Sequence, residues 1–160
     1  GTVRSYHANG QVDWEYDLAQ GDILYPSEPV IGDITGDGEL EIVFGAYTND
    51  SSGYSRVGIY ALDRNGSLIQ GYPIPLTHEG NATKIGIRAA PTLADIDGDG
   101  DIEILAGSWG GTLYVWDLSS PYSSGLTPWP TARQNNLRNG YFYRVPIDYT
   151  HFVKLPLIIR

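Results

Sequence analysis

Short stretches of alternating apolar and polar residues run along much of this chain, and glycine or proline interrupts every long segment. A clear example is Ile-Glu-Ile-Leu-Ala-Gly at residues 102–107. Alternation with a period of two is typical of a β-strand with one buried face. The 12 tyrosines and 4 tryptophans also favour strands over helices. The pattern therefore predicts an all-β chain of short antiparallel strands.

Two hairpins and part of a third follow the same plan. Residues 3–18 and 57–74 each predict two strands around an Asn-Gly turn, at positions 9–10 and 65–66. A third version runs from 113 to 130. Each full unit reads as a strand, an acidic loop, a second strand, a glycine-rich link and a hairpin. Repeats of about four short strands predict the blades of a β-propeller.

The acidic loop at residues 95–103 carries the strongest chemical signal. It reads Asp-Ile-Asp-Gly-Asp-Gly-Asp-Ile-Glu, with a carboxylate at every odd position. Ca²⁺ takes about six to eight oxygen ligands, and a short loop supplies them by curling around the ion. Gly100 at the sixth position permits the sharp bend. An EF-hand would carry a bidentate glutamate at position twelve, but that position is Ala106, so the loop is predicted to join two strands.

A copy of this loop lies 62 residues earlier, at residues 33–41. Thr35 stands where the later loop has its second aspartate, so we expect the first copy to bind calcium more weakly. Two Ca²⁺ sites are therefore predicted. Their ligands are Asp33, Thr35, Asp37, Glu39 and Glu41 in the first loop, and Asp95, Asp97, Asp99, Asp101 through its backbone carbonyl, and Glu103 in the second. The alternative is a pair of Asp-Gly turns without metal.

Composition and charge narrow the function further. The 160 residues suit one ordinary domain, and the formal net charge is −9. No basic stripe is present, which argues against nucleic acid as a partner. No apolar run approaches the roughly 20 residues of a membrane-spanning helix. The chain contains no cysteine, which neither requires nor excludes an oxidising compartment.

The loops and the strands around them resemble the FG-GAP repeat, also called VCBS-like, of integrin-α-type propellers and many secreted bacterial proteins. Residues 93–107 and 31–46 carry this resemblance, and 128–141 is similar to the segment that ends such bacterial propellers. Together they cover roughly residues 28–141. The resemblance implies a partial propeller of about two and a half blades, in which the calcium ions are structural.

The repeats divide the chain into four predicted parts. These are the outer half of a preceding blade at 1–27, FG-GAP-like blades at 28–87 and 88–141, the second including a closing segment, and a tail at 142–160. The tail is predicted to form an edge or pairing strand, with a short C-terminal anchoring signal as the alternative. An unclosed arc of blades exposes strand edges. We therefore expect the remainder of a longer or cleaved propeller chain, or further copies of this one, as the partner.

Catalytic groups are few. The three histidines, at positions 7, 78 and 151, are far apart and lack metal-ligand spacing, and no Gly-x-Ser-x-Gly motif occurs. The carboxylates cluster only in the predicted calcium loops. We therefore expect a protein that is not an enzyme. Trp109, beside two glycines, is the candidate for binding a glycan or protein ligand.

Three functional hypotheses remain open at this point. The first is a calcium-stabilised, non-catalytic segment of an extracellular or cell-surface protein that acts as a scaffold or adhesion surface, because millimolar calcium outside cells fills modest sites. The second is an accessory domain, carbohydrate-binding or otherwise, of a secreted glycan lyase, hydrolase or peptidase. The third is a subunit of a self-assembling extracellular fibre or ring.

Overall fold

The structure is a computed structural model, and it describes residues 1–77, 84–135 and 137–140. In these ranges it contains antiparallel strands and two short 3-10 helices, with no α-helix. The all-β prediction is therefore confirmed. Nor does the described part contain a helix long and apolar enough to span a membrane. The predicted strand in the tail at 142–160 lies outside the described residues, as do His78 and His151.

Eleven strands and two 3-10 helices follow one another in the described residues. In chain order they are β1 (Thr2–Tyr6), β2 (Val12–Asp17), β3 (Tyr25–Pro26), β4 (Val30–Gly32), β5 (Glu41–Thr48), a 3-10 helix (Ser51–Arg56), β6 (Gly58–Leu62), β7 (Ile74–Pro75), β8 (Ile85–Gly86), β9 (Thr92–Ala94), β10 (Asp101–Gly107), β11 (Leu113–Pro121) and a 3-10 helix (Ser124–Leu126).

The largest sheet has six strands and is organised around β5. Strands β4, β5, β6 and β7 pair antiparallel in that order, with Phe44 of β5 opposite Tyr60 of β6. Strands β3 and β8 pair with the far end of β5, where Tyr47 lies opposite both Tyr25 and Gly86. The first full repeat thus contains four consecutive antiparallel strands, as the sequence pattern predicts.

The second repeat forms a three-stranded sheet in the order β9, β10, β11. Ile104 at the centre of β10 lies opposite Leu93 of β9 and Trp116 of β11. The third predicted hairpin therefore has only its first strand in the described residues. Proline at position 121 has no N–H to continue the ladder, and the backbone N–H of Tyr122 donates instead to Gly100 O at 2.8 Å.

The other two predicted hairpins differ in how completely their two arms pair. Strands β1 and β2 pair over their length around the turn at 9–10, with a register shift near Tyr6. At 65–66 the turn forms, but its returning arm pairs with β6 only at Leu68 and again at β7. Glycine and proline between these points, at 71 and 73, disfavour a continuous strand there.

The six-stranded and three-stranded sheets share one hydrophobic core. Val43 and Ile59 from the first sheet pack with Ile102 and Ile104 from the second, and all four are fully buried. A second cluster lies against the β1–β2 hairpin and includes Phe44. Side chains with no exposed surface contribute about 2 kcal/mol each to the hydrophobic stabilisation. The common core fixes the two repeats against each other.

A short segment after β11 ties the inner strands of the two sheets together. The backbone N–H of Ile31 donates to Trp129 O at 2.8 Å, and that of Leu93 donates to Pro130 O at 2.8 Å. The hydroxyls of Thr92 and Thr131 lie 3.1 Å apart. Residues 129–131 therefore connect β4 with β9, the two strands that lead into the acidic loops.

Candidate metal centre

The second acidic loop connects β9 to β10 and is shaped by its glycines. Gly98 and Gly100 have φ angles of 82° and 97°, which residues with a Cβ adopt only at a cost. Gly98 N–H donates to Asp95 Oδ1 at 2.7 Å, and Asp99 N–H donates to Asp97 Oδ1 at 3.2 Å. These backbone bonds curl the loop around its own carboxylates.

Three aspartates of the second loop converge. Asp95, Asp97 and Asp99 each offer a carboxylate oxygen, and these oxygens all lie within 4.8 Å of one another. Charges this close repel unless a cation lies between them or one group takes up a proton. Asp101, the fourth predicted acidic position, is not part of this group, and its backbone carbonyl as a ligand stays a prediction.

Glu103 is the buried member of this loop. Its Oε2 accepts a hydrogen bond from Ile96 N–H at 2.6 Å, and only 2% of the residue is exposed. Its Oε1 is buried and has no hydrogen-bond partner in the described part of the chain. A buried acceptor without a partner is costly, and most of all when it is charged. An all-oxygen set with one unsatisfied buried oxygen fits a hard cation such as Ca²⁺.

A sixth acid of this region, Asp117, was not predicted as a site residue. It lies on β11 directly opposite Glu103. Partial desolvation raises the pKa of Asp117, and the nearby charges of Asp99, Asp97 and Asp101 raise it further. The sequence pattern placed Asp117 on a strand, but only the register between β10 and β11 brings it next to the loop.

The first loop, between β4 and β5, is held differently. Asp33 is buried, and its Oδ1 accepts hydrogen bonds from Thr35 N–H at 3.2 Å and Gly36 N–H at 2.7 Å. Its Oδ2 accepts a third from Gly38 N–H at 2.8 Å. Both oxygens of Asp33 therefore already have partners within the loop backbone.

The remaining acids of the first loop have separate hydrogen-bond or ion-pair partners. Glu41 Oε2 accepts a hydrogen bond from Ile34 N–H at 2.9 Å, and burial raises the pKa of Glu41 to about 7, with added contributions from Asp37 and Asp33. The exposed Glu39 forms an ion pair with Arg64 at 3.1 Å. In the described residues, the carboxylates of this loop form no group of three like that of the second loop.

Both loops border the segment that follows β11. Asp33 N–H donates to Leu126 O at 2.8 Å, and the second loop accepts the Tyr122 N–H bond described above. A Cβ on Gly36 would lie 3.2 Å from Pro121. The two loops therefore lie at the same end of the paired sheets.

Comparison with protein families adds an independent result at this point. Residues 33–106 match the FG-GAP-like repeat. The matched segment contains both acidic loops, all of β5 and all but the last residue of β10. The FG-GAP resemblance is therefore confirmed over this range. Neither the curated proteins nor the solved structures gave a significant match.

Trp109, the predicted ligand-binding residue, lies three residues beyond the FG-GAP-like match, at the other end of the sheets from the loops. Its ring is half-buried and meets Tyr47 edge to face, with 5.7 Å between ring centroids. Lys84 Nζ and Arg88 Cζ each lie 5.1 Å from the centre of the same ring. Neither cation was singled out in the sequence, because they meet Trp109 only in the folded chain.

Proposed function

We propose that this chain is a calcium-stabilised, non-catalytic part of a β-propeller in an extracellular or cell-surface protein, where it acts as a scaffold or interaction surface. The FG-GAP-like repeat and the four antiparallel strands β4 to β7 support the propeller. The common core of the two sheets supports their packing as neighbouring blades. The rest of the propeller would come from a longer chain or from further copies.

The observation that carries the calcium proposal is the unsatisfied Oε1 of Glu103 beside three converging aspartates. The side chains of Asp95, Asp97, Asp99 and Glu103, with the backbone carbonyl of Asp101, would hold the ion in the second loop. A bound Ca²⁺ would relieve the repulsion among the aspartates and give Glu103 a partner. In the first loop the ligands would be Asp33, Thr35, Asp37, Glu39 and Glu41, and there a shift of side chains would have to accompany binding.

An extracellular location is part of the same proposal, because the millimolar calcium found outside cells would keep sites of modest affinity filled. A non-catalytic role follows from the use of the clustered acids, because carboxylates that hold a cation stay ionised and are poor proton donors.

A second candidate role is an accessory, carbohydrate-binding domain of a secreted glycan lyase, hydrolase or peptidase. The observation that favours it is the contact of Trp109 with Tyr47 and two cations. The third candidate role is that of a subunit that assembles with copies of itself into a fibre or ring. Size-exclusion chromatography with light scattering tests it, and a clean monomer at high concentration would remove it.

Calorimetric titration of calcium into the calcium-free protein tests the main proposal. We expect two binding events, the tighter one at the second loop. A bound ion at about 100 times its Kd adds about 2.7 kcal/mol of stability, so saturating calcium should raise the melting temperature by about 5–10 °C. Chelation should reverse the rise.

Magnesium and a surface variant provide the controls. Mg²⁺ requires near-octahedral geometry and loses its water reluctantly, so it should stabilise far less. Glu15→Gln removes an exposed acid that pairs with Arg4 on the β1–β2 hairpin, and it should leave the calcium response unchanged. A melting temperature that calcium and chelator both leave unaltered would contradict the proposal.

A further inference from the structure

A cluster of aromatic and basic side chains lies at the ends of β5 and β10 opposite the acidic loops. It consists of Tyr25, Tyr47, Lys84, Arg88 and Trp109, and we call it the aromatic–basic face. Both strands leave an acidic loop and run seven or eight residues to this end of the sheets. Strands of that length put about 20 Å between the face and the loops.

The aromatic rings of this face form a continuous strip that the backbone holds in place. Tyr25 and Tyr47 are cross-strand partners, and their ring centroids are 5.5 Å apart. Trp109 meets Tyr47 edge to face, and the backbone N–H of Trp109 donates to Gly86 O at 2.7 Å. Tyr25 keeps 43% of its surface exposed, so the strip is open to solvent.

Arg88 is held over this strip rather than by an acid. Its guanidinium carbon lies 5.1 Å from the Trp109 ring centre and 6.0 Å from that of Tyr47. Such cation–π contacts orient the guanidinium and leave its N–H groups free to bind a ligand. The nearby Lys84 is held over Trp109 in the same way.

Lys84 and Arg88 differ from three other basic residues, which do form ion pairs. Arg4, Arg56 and Arg64 each pair with an acid, whereas Lys84 and Arg88 have no acid within 4.0 Å among the described residues. Both are exposed. The chain carries 19 acidic and only 10 basic residues, so two cations over the same Trp109 ring form a local exception to its charge.

The face also has space for a ligand. A shallow cleft of ≈ 340 Å³ lies beside Trp109 and is lined by Arg88, Ala89, Gly107 and Ser108 as well. A Cβ on Gly107 would meet no atom within 4 Å, so this part of the cleft is open. The cleft thus combines one aromatic wall, Trp109, with a cationic and a hydroxyl group, Arg88 and Ser108, a mixture of apolar and polar groups that ligand sites use.

We propose that the aromatic–basic face binds an acidic polysaccharide, through the carboxylates of its uronate residues. The Arg88 guanidinium matches a carboxylate with two parallel N–H donors. Lys84 adds a second positive charge, and the exposed ring of Tyr25 with the half-buried ring of Tyr47 beside it packs against the apolar faces of the sugars. The inference names the ligand class of the interaction surface proposed above, and rests on that role but not on calcium.

An extended peptide or a nucleic acid fits this face less well. A peptide that adds a strand needs a free sheet edge. Tyr47 is already paired with Tyr25 on one strand and Gly86 on another, so an added strand would have to pair with β3 or β8, which have two residues each. A nucleic acid would meet a net charge of −9 and only two unpaired cations on the face, too few for the phosphate contacts that such binding requires.

Calorimetric titration with a defined oligogalacturonate, at fixed calcium, tests the proposal. The full methyl ester of the same oligomer has the same backbone without charge, and it should bind at least about tenfold more weakly. Arg88→Gln should weaken binding of the free acid by about tenfold or more. Arg64→Gln removes one positive charge beside the first acidic loop, and it should change Kd by less than about twofold.

Two measurements distinguish this proposal from the calcium proposal: the melting temperature and the calcium titration of the Arg88→Gln variant. Arg88→Gln should keep the wild-type melting temperature and calcium titration, because Arg88 is exposed and far from the loops. Equal binding of acid and methyl ester, or an Arg88→Gln variant that binds like wild type, would overturn the inference and leave the calcium sites standing. So would a hexaglutamate peptide that binds the face more tightly than the oligogalacturonate.

Discussion

The two acidic loops follow nearly the same sequence plan but satisfy their carboxylates in different ways. In the first loop, both oxygens of Asp33 accept backbone N–H groups, three bonds in all. In the second loop, Asp95 accepts one such bond, and three aspartates converge on one point. The glutamates that end the loops differ as well, because Glu103 has a buried oxygen without a partner in the described residues.

This difference indicates how much each loop depends on an ion. The first loop holds its shape through hydrogen bonds to its own backbone. Its buried glutamate, Glu41, has a pKa raised to about 7, so it takes up a proton near neutral pH. The second loop gathers charge that its backbone does not neutralise. We therefore expect the metal-free protein to be strained mainly at the second loop, and the first loop to respond most strongly to protons. Three predictions test this comparison.

The largest expected effect is a pH dependence of the metal-free protein that comes from Glu41. Its pKa rises from 4.5 to about 7 on folding, chiefly because of burial. The folded protein then binds the proton more tightly than the unfolded chain. The stabilisation is complete below pH 4.5 and is lost as the pH rises through 7, a change of about 3 kcal/mol.

Urea unfolding of the calcium-free protein between pH 4.5 and 8 measures this change. Glu41→Gln mimics the protonated side chain. In this variant the change in unfolding free energy between pH 4.5 and 8 should be smaller than in wild type by about 3 kcal/mol. Glu39→Gln, which neutralises an exposed acid of the same loop, is the matched control. If Glu41→Gln and wild type show parallel pH profiles, the first loop is not the proton-sensitive one.

The next largest effect should separate the loops by calcium affinity. Asp37 and Asp99 occupy the same position in the two loops, and each accepts one backbone N–H from two residues further on, at 2.8 and 2.9 Å. Substitution by asparagine keeps that acceptor and removes the charge. We expect Asp99→Asn to lose about 2 kcal/mol of calcium-dependent stability and Asp37→Asn about 1 kcal/mol.

Thermal melts with and without calcium give both values as differences from wild type. Both variants keep the same backbone hydrogen bond, so each is the control for the other. In chelator, Asp99→Asn should be the more stable of the two relative to wild type, because it relieves the repulsion among the three aspartates. Equal losses in calcium would mean that the loops contribute alike. A greater loss for Asp37→Asn would reverse the ranking.

Much of this arrangement follows from local sequence. Alternation predicts β10, and the glycines at 98 and 100 predict the bends because only glycine adopts their φ angles readily. Strand β5 instead buries both faces, with six of its eight residues buried. The 62-residue spacing predicts that both loops link equivalent strands, which β4–β5 and β9–β10 do. Periodicity and turn chemistry act over a few residues, so one sequence is enough to recognise them.

Contacts between distant residues could not be predicted in this way. The register of β11 places Asp117 opposite Glu103, and the meeting of Tyr47 with Trp109 joins residues 62 positions apart. Thr131 reaches Thr92 for the same reason, through the segment that ties β4 to β9. These contacts depend on how two sheets pack, which hydrophobic alternation leaves open. The blade boundaries at 28, 88 and 142 remain predictions.

The smallest expected effect concerns the third position of the loops, where the second loop has a charged residue and the first does not. Thr35 occupies the position of Asp97, and it is exposed, so Thr35→Asp should fit without repacking. Calorimetric titration should show the affinity of the first loop rising by about tenfold, or about 1.4 kcal/mol, because calcium affinity increases with the number of charged ligands. The reciprocal Asp97→Thr should weaken the second loop. An unchanged affinity in Thr35→Asp would mean that the backbone bonds of Asp33, rather than ligand charge, limit calcium binding in the first loop.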